Sequence, residues 1–118
     1  MKYKLVGMFH GRVANPGKFS GVAVVLGPEE QMTSDFIDSL PERCVLVAES
    51  THPHYLPIMS RCIAFVTEEG GLLSHAAITA REWGIPCVVG VSGILNVVRT
   101  GDFVVGDEDG TIRVYRGN

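Results

Sequence analysis

Nowhere in these 118 residues does an apolar run approach the ~20 residues that a bilayer-crossing helix needs. The opening MKYKLVGMF holds no long apolar stretch and no small-residue cleavage site, which argues against a secretory signal. Cysteine is scarce: Cys44, Cys62 and Cys87 are odd in number, far apart, and set in the apolar stretches CVLVA, CIAFV and CVVG. That excludes a disulfide framework and predicts buried, reduced thiols packing as small hydrophobes in a cytoplasmic protein. Charge is also low, at 19% of residues with a net value of -3, and the ten Lys and Arg residues are scattered. No nucleic-acid footprint and no membrane-surface patch follow from such a pattern. There is no G-x-G-x-x-G after a strand and no P-loop, so no nucleotide site of those types lies in the chain. G-x-S-x-G is missing too, and no H-x-x-x-H or C-x-x-C accompanies the HPH of His52 and His54, so metal ligation is not expected.

What is present fits one globular domain over residues 1–118, with 46% hydrophobic residues and 14 glycines. Short Val- and Ile-rich stretches bounded by Gly, Pro or Asp predict strands at 4–6, 20–26, 43–48, 62–67, 87–89, 102–105 and 111–115. GDEDG at 106–110 predicts a turn that pairs the last two as a hairpin. Helices are expected at 33–40 (TSDFIDSL) and 74–83 (SHAAITAREW), with a short third at 92–98. THPHYLP (51–57) reads as a loop with one helical turn. The expected class is α/β, a single layered domain of mostly short strands and two or three helices, not a regular βαβ array.

The stretch GGLLSHAAITAR (70–81) concentrates the chemistry. Ser74 is a good N-cap, which puts His75 in the first helical turn beside backbone N–H groups without helical partners. Those donors and the helix dipole favour an anion. A neutral imidazole is a nucleophile, and a phosphoryl group attached to it would be such an anion. Gly70 and Gly71, with the backbone of Ser74, Ala76 and Ala77, form a candidate phosphate nest. At 100° per residue, Ile78, Thr79 and Glu82 share the His75 side while Arg81 points elsewhere. Ala76, Ala77 and Ala80 are small, which predicts close approach by another surface. Thr51 and the loop through Pro53 follow a strand that ends near the site, so Thr51 and Thr79 are possible lining. On local physics alone, an ordinary surface or capping histidine is the competing reading. His10, His52 and His54 read as ordinary polar or loop residues.

VTEEGGLLSHAAITAREWGIPCVVGV (66–91) resembles the phosphohistidine signature of the phosphoenolpyruvate-utilising enzymes: pyruvate phosphate dikinase, phosphoenolpyruvate synthase, enzyme I and rifamycin phosphotransferase. GG, SH, an alanine pair, ARE, GIP and VVG stand in the family's order and spacing. GRVANPGKFSGVAVV (11–25), VLVAESTHPHYLPIMSRCIAFVTE (45–68) and VVRTGDFVVGDEDGTIRVY (97–115) extend the resemblance over nearly the whole chain. The resemblance implies the mobile, or swivelling, phosphohistidine domain with a β/β/α arrangement. It makes His75 the catalytic phospho-acceptor through Nε2, serving two active sites in turn. Many family members carry Thr where Leu73 stands, and an aliphatic residue where Thr79 stands. Neither an ATP-grasp domain nor a phosphoenolpyruvate-binding barrel lies within the 118 residues. The expectation is therefore that these partners are separate polypeptides, that Mg2+ accompanies ATP or phosphoenolpyruvate on them, and that this chain itself binds no cofactor. The chain would then be a phosphotransferase component, not a complete enzyme. The alternative is a non-catalytic interaction or regulatory module that retains the fold. A hydrolase acting alone through His75 lacks a general acid or metal.

Overall fold

The structure, a computed structural model, describes residues 2–117. Eight strands form one sheet: β1 Tyr3–His10, β2 Arg12–Asn15, β3 Phe19–Leu26, β4 Cys44–Ala48, β5 Cys62–Thr67, β6 Cys87–Val89, β7 Phe103–Gly106 and β8 Thr111–Gly117. Three helices punctuate them: α1 Ser34–Asp38, α2 Leu56–Met59 and α3 His75–Trp83. Single 3-10 turns occupy Pro53–Tyr55 and Ile94–Asn96. The sheet order is β1-β8-β7-β3-β4-β5-β6-β2.

Its centre is more regular than the sequence suggests. Strands β3, β4, β5 and β6 are all parallel, and a helix follows each of the first three. All five residues of β4 are buried, which explains the unbroken apolar run CVLVA where a one-sided strand would alternate. Leu46, Ala48 and Phe65 face the helix layer with Tyr55, Ile58, Ala76, Ala77 and Ala80. Val45, Val47, Ala64 and Val66 face the opposite way, against Val104, Ile112 and Val114 of the antiparallel strands β7 and β8. The layers are thus β/β/α, with two apolar cores on either side of the parallel strands.

Strands β1 and β2 stand at the two ends of the sheet order, yet only Gly11 separates them. One kinked strand therefore serves both ends, and the sheet rolls up around it. Gly11 donates its N–H to the Gly110 carbonyl at 3.0 Å. A Cβ at Gly11 would meet Val91 Cγ2 at 2.6 Å and the Val89 carbonyl oxygen at 2.7 Å, so only glycine fits the kink. β2 was not among the expected strands, because RVAN is short and lacks apolar alternation. The expected helix at 92–98 is only a 3-10 turn: Gly93 precedes it at φ 85° and Val97 leaves helical geometry at φ -120°. α1 is shorter than the expected 33–40, with Thr33 as its cap. β7 and β8 form the expected hairpin.

Candidate functional site

Because β4, β5 and β6 are parallel, the loops that follow them leave from one end of the sheet, the usual place for a site in such folds. Three backbone bonds stitch these loops together. Glu68 N–H donates to the Ala48 carbonyl (3.0 Å), Glu69 N–H to the Glu49 carbonyl (2.9 Å) and Val91 N–H to the Thr67 carbonyl (3.0 Å). The Glu68 carboxylate accepts from the Leu95 N–H at 3.0 Å, and the Thr67 hydroxyl donates to the Glu69 carbonyl at 2.7 Å.

Gly70 turns this loop at φ +100°, a conformation that side chains rarely adopt. Ser74 N–H then donates to the Gly71 carbonyl at 3.1 Å. Ser74 is extended (φ -70°, ψ 163°) and its hydroxyl accepts from the Ala77 N–H at 3.4 Å, so it caps α3. His75 is the first residue of α3 and half-buried. At the far end Gly84, at φ 68°, closes the helix through a bond to the Ala80 carbonyl.

The loop after β4 brings Thr51 to the same point. Its buried hydroxyl lies 2.8 Å from His75 Nδ1. That bond holds one nitrogen of the ring and leaves Nε2 as the nitrogen open to chemistry. No atom would lie within 4 Å of a Cβ at Gly71, so the space beside the loop is open. The neighbourhood carries exposed apolar side chains: Leu73 is 84% exposed, with Leu72 and Ile78 less so.

The structure thus brings together His75, Ser74, Gly70, Gly71 and Thr51. It places Thr79 in the buried face of α3. Ala76, Ala77 and Ala80 are also buried, against the sheet. Their small size therefore lets α3 sit close to its own core, and it does not open a path for a second surface as their spacing had suggested. The free side of α3 carries Ile78, Arg81 and Glu82. Ala76 can offer an anion its backbone N–H but not its side chain, whereas the Ala77 N–H, expected in the same nest, is taken by the Ser74 hydroxyl.

Sequence reasoning missed two supports. Arg81 donates from one guanidinium nitrogen to the Leu72 carbonyl (2.6 Å) and from another to the Ala14 carbonyl (3.4 Å), strapping the glycine loop to β2. Arg81 leaves α3 on a different side from His75, and its acceptors are main-chain atoms that no motif displays. The Glu68 bond to Leu95 spans two loops and is equally silent in sequence. His52 and His54 stack at 5.5 Å with rings 8° apart, and both abut Tyr55. Among the described residues no group of three or more His, Cys, Asp or Glu side chains could hold a metal ion. No helix among them is long and apolar enough to cross a membrane.

Comparison with known proteins gives these features a context. Residues 40–109, more than half of the chain, match the family described as PEP-utilising enzyme, mobile domain. Phosphoenolpyruvate synthase of Pyrococcus furiosus is 41% identical over 107 residues, which cover 91% of this chain and 12% of that protein. The chain thus spans about an eighth of the length of the curated relatives it matches. A solution structure of Enzyme I superposes with a TM-score of 0.55 at 33% identity, over 66% of this chain and 33% of that one. Aconitase X of Thermococcus kodakaraensis, in its holo form, gives a TM-score of 0.65 over 92% of this chain and 98% of that one. At 20% identity that second likeness is one of fold alone. With the β/β/α layering and the match across the segment that carries His75, the chain belongs to the mobile-domain family of the PEP-utilising enzymes.

Proposed function

We propose that this domain is a phosphoryl carrier that loads and unloads His75. The observation that carries the reading is the 2.8 Å hydrogen bond between Thr51 Oγ1 and His75 Nδ1 at the head of α3. With Nδ1–H donating to Thr51, the in-plane lone pair sits on Nε2. That lone pair attacks the phosphorus of a donor. The N–P bond forms, the bond from phosphorus to the donor's leaving group breaks, and the leaving group keeps the electron pair. Unloading is the same displacement with an acceptor oxygen as nucleophile and the imidazole as leaving group. The phosphorylated ring is anionic next to the free N–H groups of the first helical turn, which stabilise it. Thr51 keeps the ring in one orientation through both steps.

In this reading the donor and acceptor sites lie in other domains: one that binds ATP, and one that binds phosphoenolpyruvate, pyruvate or another acceptor. Mg2+ belongs with the nucleotide or the phosphoenolpyruvate in those sites, and the carrier step needs no cofactor of its own. The apolar rim of Leu72, Leu73 and Ile78 suits docking against them, because a docked surface excludes water from the transfer. The larger size of the relatives supports the need for such domains.

The experiment uses radiolabelled phosphoramidate as donor, whose P–N bond breaks with loss of ammonia. One label is expected, alkali-stable and acid-labile, mapped by mass spectrometry to His75 and absent from His75→Ala. Thr51→Val, which keeps the shape and removes the hydroxyl, slows labelling about 5- to 10-fold. Equal labelling of the wild type and His75→Ala removes the carrier reading and leaves the non-catalytic module.

A further inference from the structure

At the opposite end of β4 and β5 from His75, two of the three thiols meet. Cys44 begins β4, Cys62 begins β5, and they are partners in the parallel ladder. Their sulfurs are 3.2 Å apart, about 1.2 Å beyond the ~2.0 Å of a disulfide bond. The contact depends on a local irregularity. The register shifts by one residue after this pair, so that Val45 partners Ala64. Ile63 and Ala64 consequently both face the antiparallel layer. Cys62 is left on the helix face beside Cys44, where an unbroken ladder would have set Ile63. Partners on adjacent strands have Cα atoms about 5 Å apart, inside the range a disulfide bridges.

We propose that Cys44 and Cys62 are a modification site: a peroxide converts them to a reversible intrachain disulfide that braces the feet of β4 and β5. One sulfur, as thiolate, attacks a peroxide oxygen. An S–O bond forms, the O–O bond breaks, and water leaves after protonation. The second sulfur then attacks the sulfenic sulfur. The S–S bond forms, the S–O bond breaks, and a second water leaves. Two thiols give up two electrons and two protons, and hydrogen peroxide is reduced to water.

The surroundings favour this pair over Cys87. The hydrogen bond shared with Cys62 holds the Cys44 thiol below its ordinary value against the opposing effect of burial. The same bond, together with burial, pushes Cys62 up. Among the described residues Cys87 makes no hydrogen bond to another sulfur, and burial pushes it up to about 12. Cys62 keeps 5% of its surface exposed at the foot of the sheet, the entry for a small oxidant. The brace closes a loop between positions 18 apart, and that loop contains Thr51 and α2. It does not depend on the carrier reading.

The folded chain is treated with hydrogen peroxide, quenched, unfolded and alkylated with iodoacetamide. One alkylated cysteine, Cys87, is expected in place of three, with dithiothreitol restoring all three. The oxidised chain melts about 10 °C higher than the reduced one. Cys87→Ala still cross-links, and Cys44→Ala does not. Three alkylated cysteines after oxidation of the folded chain overturn the proposal. So does a cross-link that engages Cys87, or an oxidised form that melts no higher than the reduced one.

Discussion

Asp102 is 4% exposed and charged, so its partners decide whether it helps or harms the fold. It accepts from Arg116 Nε at 2.9 Å on one oxygen, and from an Arg116 terminal nitrogen and the Arg99 N–H, each at 2.8 Å, on the other. Burial pushes the carboxyl up, but the Arg116 hydrogen bonds and charge and the Arg99 N–H outweigh it and hold Asp102 below the usual carboxylate range. A depressed folded value means that the unfolded chain binds the proton more readily. The stabilisation is therefore complete above the unfolded value of 3.8 and is lost as pH falls through the lower folded value. Asp102→Asn is expected to lower the urea midpoint by about 1 M at pH 7. The gap between the two proteins should close below pH 3.8 and stay constant above pH 5 or so. Urea titrations at four or five pH values measure it, and a gap that widens in acid rules the account out. No sequence motif advertises this arrangement, since Asp102 and Arg116 meet only because β7 and β8 fold back on each other.

At the scale of elements, the strands were legible where Val and Ile runs end in Gly or Pro. β5 and β6 match their expected limits, 62–67 and 87–89. α3 was legible from its cap and its stop, Ser74 and Gly84. The side of α3 that faces inward was only partly so: periodicity gives a face, but not what lies opposite it. Ala76, Ala77 and Ala80 fit either a tight contact with the chain's own sheet or one with a foreign surface, and only the fold chooses. The bond from Thr51 to His75 joins residues 24 apart through the convergence of two loops, which is a property of parallel strands and not of either segment. The loop that leads into α3 offers a paired test. Gly70 sits at φ +100°, and a Cβ there would lie 3.2 Å from Ser74 Cβ; Gly71 has open space and no positive φ. Gly70→Ala should lower the melting temperature by about 5–10 °C by straining the turn and displacing the cap. Gly71→Ala should change it by no more than about 2 °C. Calorimetry on both variants decides: equal effects would mean that the left-handed turn does not set the start of α3.

For the molecule as a whole, the layered class was readable from composition and spacing, while closure of the sheet was not. Closure depends on Gly11, a single residue that appears in sequence as one of 14 glycines and in space as the point where two ends of a sheet meet. It also places the first described strand against the last, with Tyr3 opposite Gly117. That pairing has a mechanical consequence. Tension applied through the two ends of the domain falls on the outermost rung of the antiparallel β1–β8 ladder and peels it one hydrogen bond at a time. Tension between Arg43 and Glu68, at opposite ends of the parallel β4–β5 pair, loads its rungs together. Optical-tweezer handles at Lys2 and Gly117 should open the domain at a clearly lower force than handles at the second pair. Pulled in this way, the domain yields first at its own hem, while the strands that lead to Thr51 and His75 stay shielded from the pull.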